Sequence, residues 1–266
     1  MEDSQLSSRI IHMKMKDWNG KDIEIVVSKG GVIALANPYA NLITNGVEPW
    51  PPSEIVQKLY QSRQKRAFAD DQQEMLNKFL GYYSDLQSIH SEDAITWSVF
   101  GTISCAETTI RNKWINDFFE MIGIKVESIK NSEIFLWRRI PHPDTLVSGG
   151  PEIDFGIYTE HTIIFGEAKW LSSVDVAQGK NKDKDQIQLR MEFLNNYGKR
   201  IFPSVQQMIV LGIGLKNDVV KTEQKGNIKC VGTTWDDVCS ISSHPLAEEL
   251  KRYLEWKKRN SKYRNG

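Results

Sequence analysis

The sequence predicts an α/β protein: a mixed central sheet flanked by helices, preceded by an extension of β and helical character. Three observations carry this expectation. From residue 91 onward, stretches with apolar residues at helical spacing give way to β-branched runs and then return. One of those runs, Ile163-Ile164-Phe165, is apolar without alternation, as in a strand buried on both faces. Residues 153–158 and 162–170 are joined by so short a link that they must pair as an antiparallel hairpin.

Residues 23–27 and 32–36 are apolar and β-branched and flank Ser28-Lys29-Gly30-Gly31, which has hairpin-turn chemistry. Pro38, Asn45-Gly46 and Pro49-Trp50-Pro51-Pro52 break both periods and mark a loop or linker over 37–53. Ile55, Val56, Leu59 and Tyr60, then Met75, Leu76, Phe79, Leu80 and Tyr83, predict two helices or one broken helix over 53–88. Ser91 is a suitable N-cap, Glu92 and Asp93 suit a first helical turn, and Ile95, Val99 and Ile103 share a face. A second helix is expected over 111–121 with Gly123 as its stop. Strands are expected over 124–129, 133–140, 153–158 and 162–170, then a helix over 183–197 and a strand over 208–214. A short strand over 228–231, a short helix capped by Thr234 and a final helix bearing Leu246, Leu250, Tyr253 and Leu254 complete the chain. The expected division is residues 1–88 as an extension, 89–242 as the core, and 243–266 as a C-terminal helix with a basic tail.

Composition narrows the function classes. The 266 residues hold 34 Lys plus Arg and 34 Asp plus Glu, so the formal charge is zero and any polyanion-binding surface must be local. Cys105, Cys230 and Cys239 lack metal-type spacing, and their odd number suggests reduced thiols and a cytoplasmic setting. The polar start Met1-Glu2-Asp3-Ser4-Gln5 is unlike a signal peptide, and no apolar run has the length of a membrane span. No G-x-x-x-x-G-K sequence and no serine or cysteine nucleophile with a matching histidine is visible; Gly212-Ile213-Gly214 is too short to hold a nucleotide.

The chemistry concentrates at the hairpin. With the turn centred between Glu160 and His161, cross-strand partners sum to 321, and 154 plus 167 equals 321. Asp154 and Glu167 then stand opposite each other, and Lys169 shares the face of Glu167 through the strand's period of two. Opposed carboxylates repel unless a positive charge lies between them, which a hard divalent cation such as Mg²⁺ supplies through oxygen ligands. Such a cation would activate water and offset charge on a scissile phosphate, with Lys169 orienting the water or neutralising the transition state. The competing reading is an exposed polar face on which Glu167 and Lys169 pair incidentally. Charges that directly follow a buried apolar run argue against it.

Pro151-Glu152-Ile153-Asp154, twelve intervening residues and Glu167-Ala168-Lys169 together resemble the signature of the PD-(D/E)XK nuclease superfamily, the restriction-endonuclease-like fold. The expected element order also resembles that superfamily's αβββαβ core, over about residues 90 to 240. Here the proline is not adjacent to the aspartate, a mild departure. The resemblance implies a Mg²⁺-dependent nuclease, with Mn²⁺ able to substitute, that hydrolyses phosphodiesters in nucleic acid, DNA before RNA. Asp154 and Glu167 would be metal ligands and Lys169 the catalytic lysine. Glu92 on the first core helix would be a further catalytic acid, with Glu107 the weaker choice, and Gln186 or Gln188 would supply a glutamine on the following helix. Lys180 and Lys182 in the basic loop 178–184, with Gln186 and Arg190, are the expected nucleic-acid contacts. Arg138, Arg139 and His142 could face substrate, though His142 between two prolines reads as a loop residue. Lys257-Lys258-Arg259, with Trp256 or Tyr263 to stack on a base, reads more simply as a solubilising tail. A homodimer is open. The alternative reading is a catalytically inactive nucleic-acid-binding or scaffolding protein on the same fold.

Overall fold

The computed structural model describes residues 13–27, 32–61, 84–126, 128–145, 150–172 and 185–261. It is α/β, with a three-stranded antiparallel sheet of order β1-β2-β3 and a six-stranded mixed sheet of order β4-β5-β6-β7-β9-β8. The small sheet comprises β1 Met13–Lys16, β2 Asp22–Val27 and β3 Ile33–Leu35. Strands β2 and β3 pair antiparallel as their sequences predict, and the turn between them lies outside the described residues. Strand β1 was not expected: Met13-Lys14-Met15-Lys16 is a mostly exposed edge whose alternating lysines mask its period.

In the large sheet, β4 Ser132–Arg139, β5 Glu152–Thr159 and β6 Thr162–Ala168 form an antiparallel meander. β7 Gln207–Gly214 and β9 Ile228–Thr234 continue it in parallel, and the short, polar β8 Glu223–Lys225, also unexpected, closes the edge antiparallel to β9. Strand period two feeds two cores. Ile164 and Ala168 pack on one face and Ile163 and Phe165 on the other, and all four are buried. This is why the run reads as continuously apolar.

Helix α1 is Ser53–Gln61; residues 62–83, with the expected Met75, Leu76, Phe79, Leu80 and Tyr83, lie outside the described residues. Helix α2 is composite, running through Glu92–Thr96, a π-helical turn Trp97–Gly101 and Thr102–Ser104. Trp97 to Gly101 are buried all round, and Ser98 and Thr102 return their hydroxyls to backbone carbonyls one turn back. Helix α3 Thr108–Met121 ends at Gly123, whose φ of 68° only glycine adopts without strain. Helix α4 Gln186–Ile201 covers one face of the large sheet; α5 Trp235–Cys239 and α6 Ala247–Asn260 pack with the other. Among the described residues no helix is long and apolar enough to cross a membrane.

Two expectations change. Residues 124–126 and 128–130 pair in neither sheet. Ile124 is buried and donates its N–H to the Phe119 carbonyl, so the apolar spacing there reflects packing under α3 rather than a ladder. The C-terminal segment is not a loose tail up to residue 261. Trp256 is buried and its indole donates to the Lys16 carbonyl, while Lys257 is fully buried and donates to the Ile89 carbonyl. Neither reaches a nucleic acid as placed, because each is buried and spends its donor on a backbone carbonyl, of Lys16 and of Ile89. One apolar cluster joins Ile23 and Leu35, helices α2 and α3, and Tyr253 of α6.

Candidate active site

An irregularity between β4 and β5 aims the first carboxylate. The ladder passes from Leu136↔Phe155 to Arg138↔Ile153, skipping Trp137 and Asp154, and Trp137 has φ of 49°, a left-handed conformation unusual for a bulky residue. Trp137 thereby turns into the core beside Trp97, with ring centroids 6.5 Å apart. On its other side, β5 pairs with β6 from Phe155↔Gly166 to Tyr158↔Ile163, each pair summing to 321 as the short turn requires. The regular ladder stops one pair before 154 and 167. There the Asp154 carboxylate accepts the Ala168 N–H at 2.9 Å.

Lys169 is fixed from both sides: its N–H donates to the Ile213 carbonyl at 2.8 Å, and its carbonyl accepts the Trp235 indole N–H at 2.8 Å. Its ammonium lies 2.7 Å from Glu167 Oε1, 3.5 Å from Glu92 Oε1 and 3.4 Å from Gln186 Oε1. Three separate elements, β6, α2 and α4, therefore converge on one nitrogen. Glu92 is set at the first turn of α2 by the Ser91 cap, and its other oxygen accepts from the Ser172 hydroxyl at 2.9 Å. Glu167 is 1% exposed, and its second oxygen pairs with the buried guanidinium of Arg190. Arg190 also donates to the Glu152 carbonyl at 3.0 Å.

The electrostatics show several acids competing for few cations. Burial, then the Asp154 charge, pushes Glu167 above the usual carboxylate range against the pull of Arg190 and Lys169. Burial raises Glu92 as well, opposed by Lys169 and reinforced by Asp154. Asp93 is pushed up to about 6 by burial, opposed by Lys58 and reinforced by Asp154 and Glu92. For Lys169, burial favours the neutral amine, but Glu167 and Glu92 outweigh it and hold the ammonium well above the ordinary lysine value. Asp154 is thus a shared source of unfavourable negative potential for three neighbouring acids.

Of the expected site residues, Asp154, Glu167, Lys169, Glu92 and Gln186 come together. Glu107 stands exposed before α3, away from this cluster, and Gln188 is exposed on α4. Lys180 and Lys182 lie outside the described residues. Arg190, expected at a nucleic-acid surface, faces inward on Glu167 and is 2% exposed. Arg138 and Arg139 are engaged by Glu133 and Glu152 at 3.0 and 2.9 Å, and His142 packs edge-on to Tyr197. One neighbour escaped the sequence reading. Lys58 of α1 pairs with Asp93 at 2.8 Å and lies over the Trp137 ring at 5.1 Å. No sequence signal joins positions 58 and 93.

Among the described residues, no group of three or more His, Cys, Asp and Glu forms a ready metal cage. Asp154 and Glu167 are nevertheless oxygen donors of the kind a hard cation takes, in a cluster whose acids are raised first by burial and further by the Asp154 charge. The fold and site thus define an α/β chain with a carboxylate–lysine cluster at a strand end. No family model, curated protein or solved structure matches the chain.

Proposed function

We propose that this chain is a metal-dependent nuclease of the PD-(D/E)XK type, with a restriction-endonuclease-like core, hydrolysing phosphodiester bonds in DNA before RNA. The observation that supports it is the convergence of Glu167, Glu92 and Gln186 on the Lys169 ammonium beside Asp154. Asp154 and Glu167 would hold Mg²⁺, or Mn²⁺ in its place, and the ion would supply Lewis-acid charge to the phosphoryl group. Lys169 is held protonated by its acids, so it can donate to a phosphate oxygen but cannot accept a proton. Glu92, partly exposed and raised by burial, is the acid better placed to take a proton from an approaching water. Arg190 acts through Glu167 as a positioning residue. The cytoplasmic setting belongs to this same reading.

A second reading, a non-catalytic nucleic-acid-binding or scaffolding protein, is favoured by one feature: both oxygens of Glu167 already face cations, Lys169 and Arg190. Incubating wild type and Lys169→Ala with single- and double-stranded DNA and RNA, with Mg²⁺ and with chelator, separates the two. The nuclease reading expects Mg²⁺-dependent cleavage by wild type that falls at least about 100-fold in the variant. Equal cleavage by both proteins refutes the site, and no cleavage by either moves the weight to the second reading.

A further inference from the structure

Beside the cluster, at the C-terminal ends of the parallel strands β6 and β7, a pocket of about 580 Å³ opens between those ends, the start of α4 and the β8 edge. Ligands of open α/β sheets bind outside the carboxyl ends of parallel strands, where loops diverge. Lys169 lines this pocket and also belongs to the candidate site, so the pocket adjoins the cluster. One part of the wall is apolar, with Leu171, which is 45% exposed, and Leu215 and Val219. The rim carries Lys216 and Lys221, both exposed, and no ion pair among the described residues takes up either one. The acids that share the lining are mostly engaged: Asp185 caps α4 through the Gln188 N–H, and Glu223 pairs with Lys225 at 2.8 Å. Asp218 alone stands exposed among the rim lysines.

We propose that this pocket receives an unpaired nucleotide of the strand being cut, with its base against Leu171, Leu215 and Val219 and its flanking phosphates on Lys216 and Lys221. The inference rests on the nuclease reading and narrows its substrate class to single-stranded or splayed nucleic acid. The size of the space selects this occupant. A single nucleotide fits a pocket in the usual ligand range of roughly 300–1,000 Å³, whereas a base-paired duplex does not enter one. An apolar wall with cations at the rim matches the two halves of a nucleotide, and single strands are commonly held by this pairing of base contact and backbone charge.

The test measures binding in chelator, where cleavage does not contribute, by fluorescence anisotropy of a labelled 20-nucleotide DNA single strand and of its blunt duplex. Wild type is compared with Lys216→Glu/Lys221→Glu; both positions are exposed, and an unchanged melting temperature checks the fold. Expected are single-strand binding at least about tenfold tighter than duplex binding, and loss of that preference in the double variant. The salt dependence of single-strand binding should also fall, by a slope of about 1.4 for two phosphate contacts. Equal affinity for the two forms, no binding of either, or wild-type behaviour of the variant overturns the inference. The nuclease reading fails separately: if wild type prefers the single strand but cuts nothing with Mg²⁺, the pocket stands and the catalysis does not.

Discussion

Replacing Lys58 with methionine removes the cation that faces Asp93, and its effect on stability should depend on pH in a defined way. The two side chains are 15% and 16% exposed and pair at 2.8 Å, so solvent screens them little. Burial holds Asp93 at about 6, against 3.8 for the free group, even with Lys58 present. An acid raised on folding contributes stability that is fully present below its unfolded value and is lost as pH rises through its folded value. In wild type that loss therefore runs from about pH 4 to pH 6 and amounts to ~3 kcal/mol, from ~2 units at 1.36 kcal/mol each. Without Lys58 the folded value climbs further, and the variant keeps losing ~1.4 kcal/mol per pH unit where wild type has levelled off. The deficit of Lys58→Met should thus be modest near pH 5, about 1 kcal/mol from the lost cation–ring contact with Trp137. By pH 8 it should be larger by about 2–3 kcal/mol. Urea unfolding of wild type, Lys58→Met, Asp93→Asn and the double variant at both pH values measures this. A deficit that is the same at pH 5 and pH 8, or one that still grows with pH in the Asp93→Asn background, refutes the account.

Arg190→Gln removes one partner of a buried ion pair and should cost ~3–5 kcal/mol in urea unfolding near neutral pH, far above the effect of a surface arginine; a loss under about 1 kcal/mol would mean the guanidinium is not inside. If Asp154 and Glu167 hold a divalent cation, Mn²⁺ at about 100 times its dissociation constant should stabilise wild type by ~2.7 kcal/mol, raising the melting temperature by roughly 5 °C or more. Asp154→Asn should abolish that shift, and an identical shift in the variant places the ion elsewhere. Gly166→Ala should destabilise by ~1–3 kcal/mol in thermal melts, because a Cβ there would lie 2.2 Å from the Phe155 ring, itself stacked on Phe100 at 4.0 Å. A neutral outcome would show that the β5–β6 pair can spread.

The parts of this site that local chemistry dictates were legible, and the parts set by docking were not. With the turn centred between Glu160 and His161, link length and strand period give a pairing sum of 321, and β5 and β6 adopt that register. The Ser91 cap likewise fixes Glu92 at the start of a helix. Arg190 lay within reach of the same reasoning. Ile187, Arg190 and Leu194 are spaced by three and four residues along α4, and all three are buried, so the arginine occupies a position on the apolar stripe. A cation in such a place demands a buried anion, and Glu167 is that anion. Lys58 could not be found this way, because its meeting with Asp93 depends on α1 settling against Trp137, whose left-handed backbone no propensity foretells. That one residue also interrupts the β4–β5 ladder opposite Asp154, which resumes at Arg138↔Ile153. The feature least visible in the sequence, a turned tryptophan in mid-strand, thus faces Asp154 across the skipped pair, and the Asp154 charge adds to the burial that raises Glu92, Asp93 and Glu167.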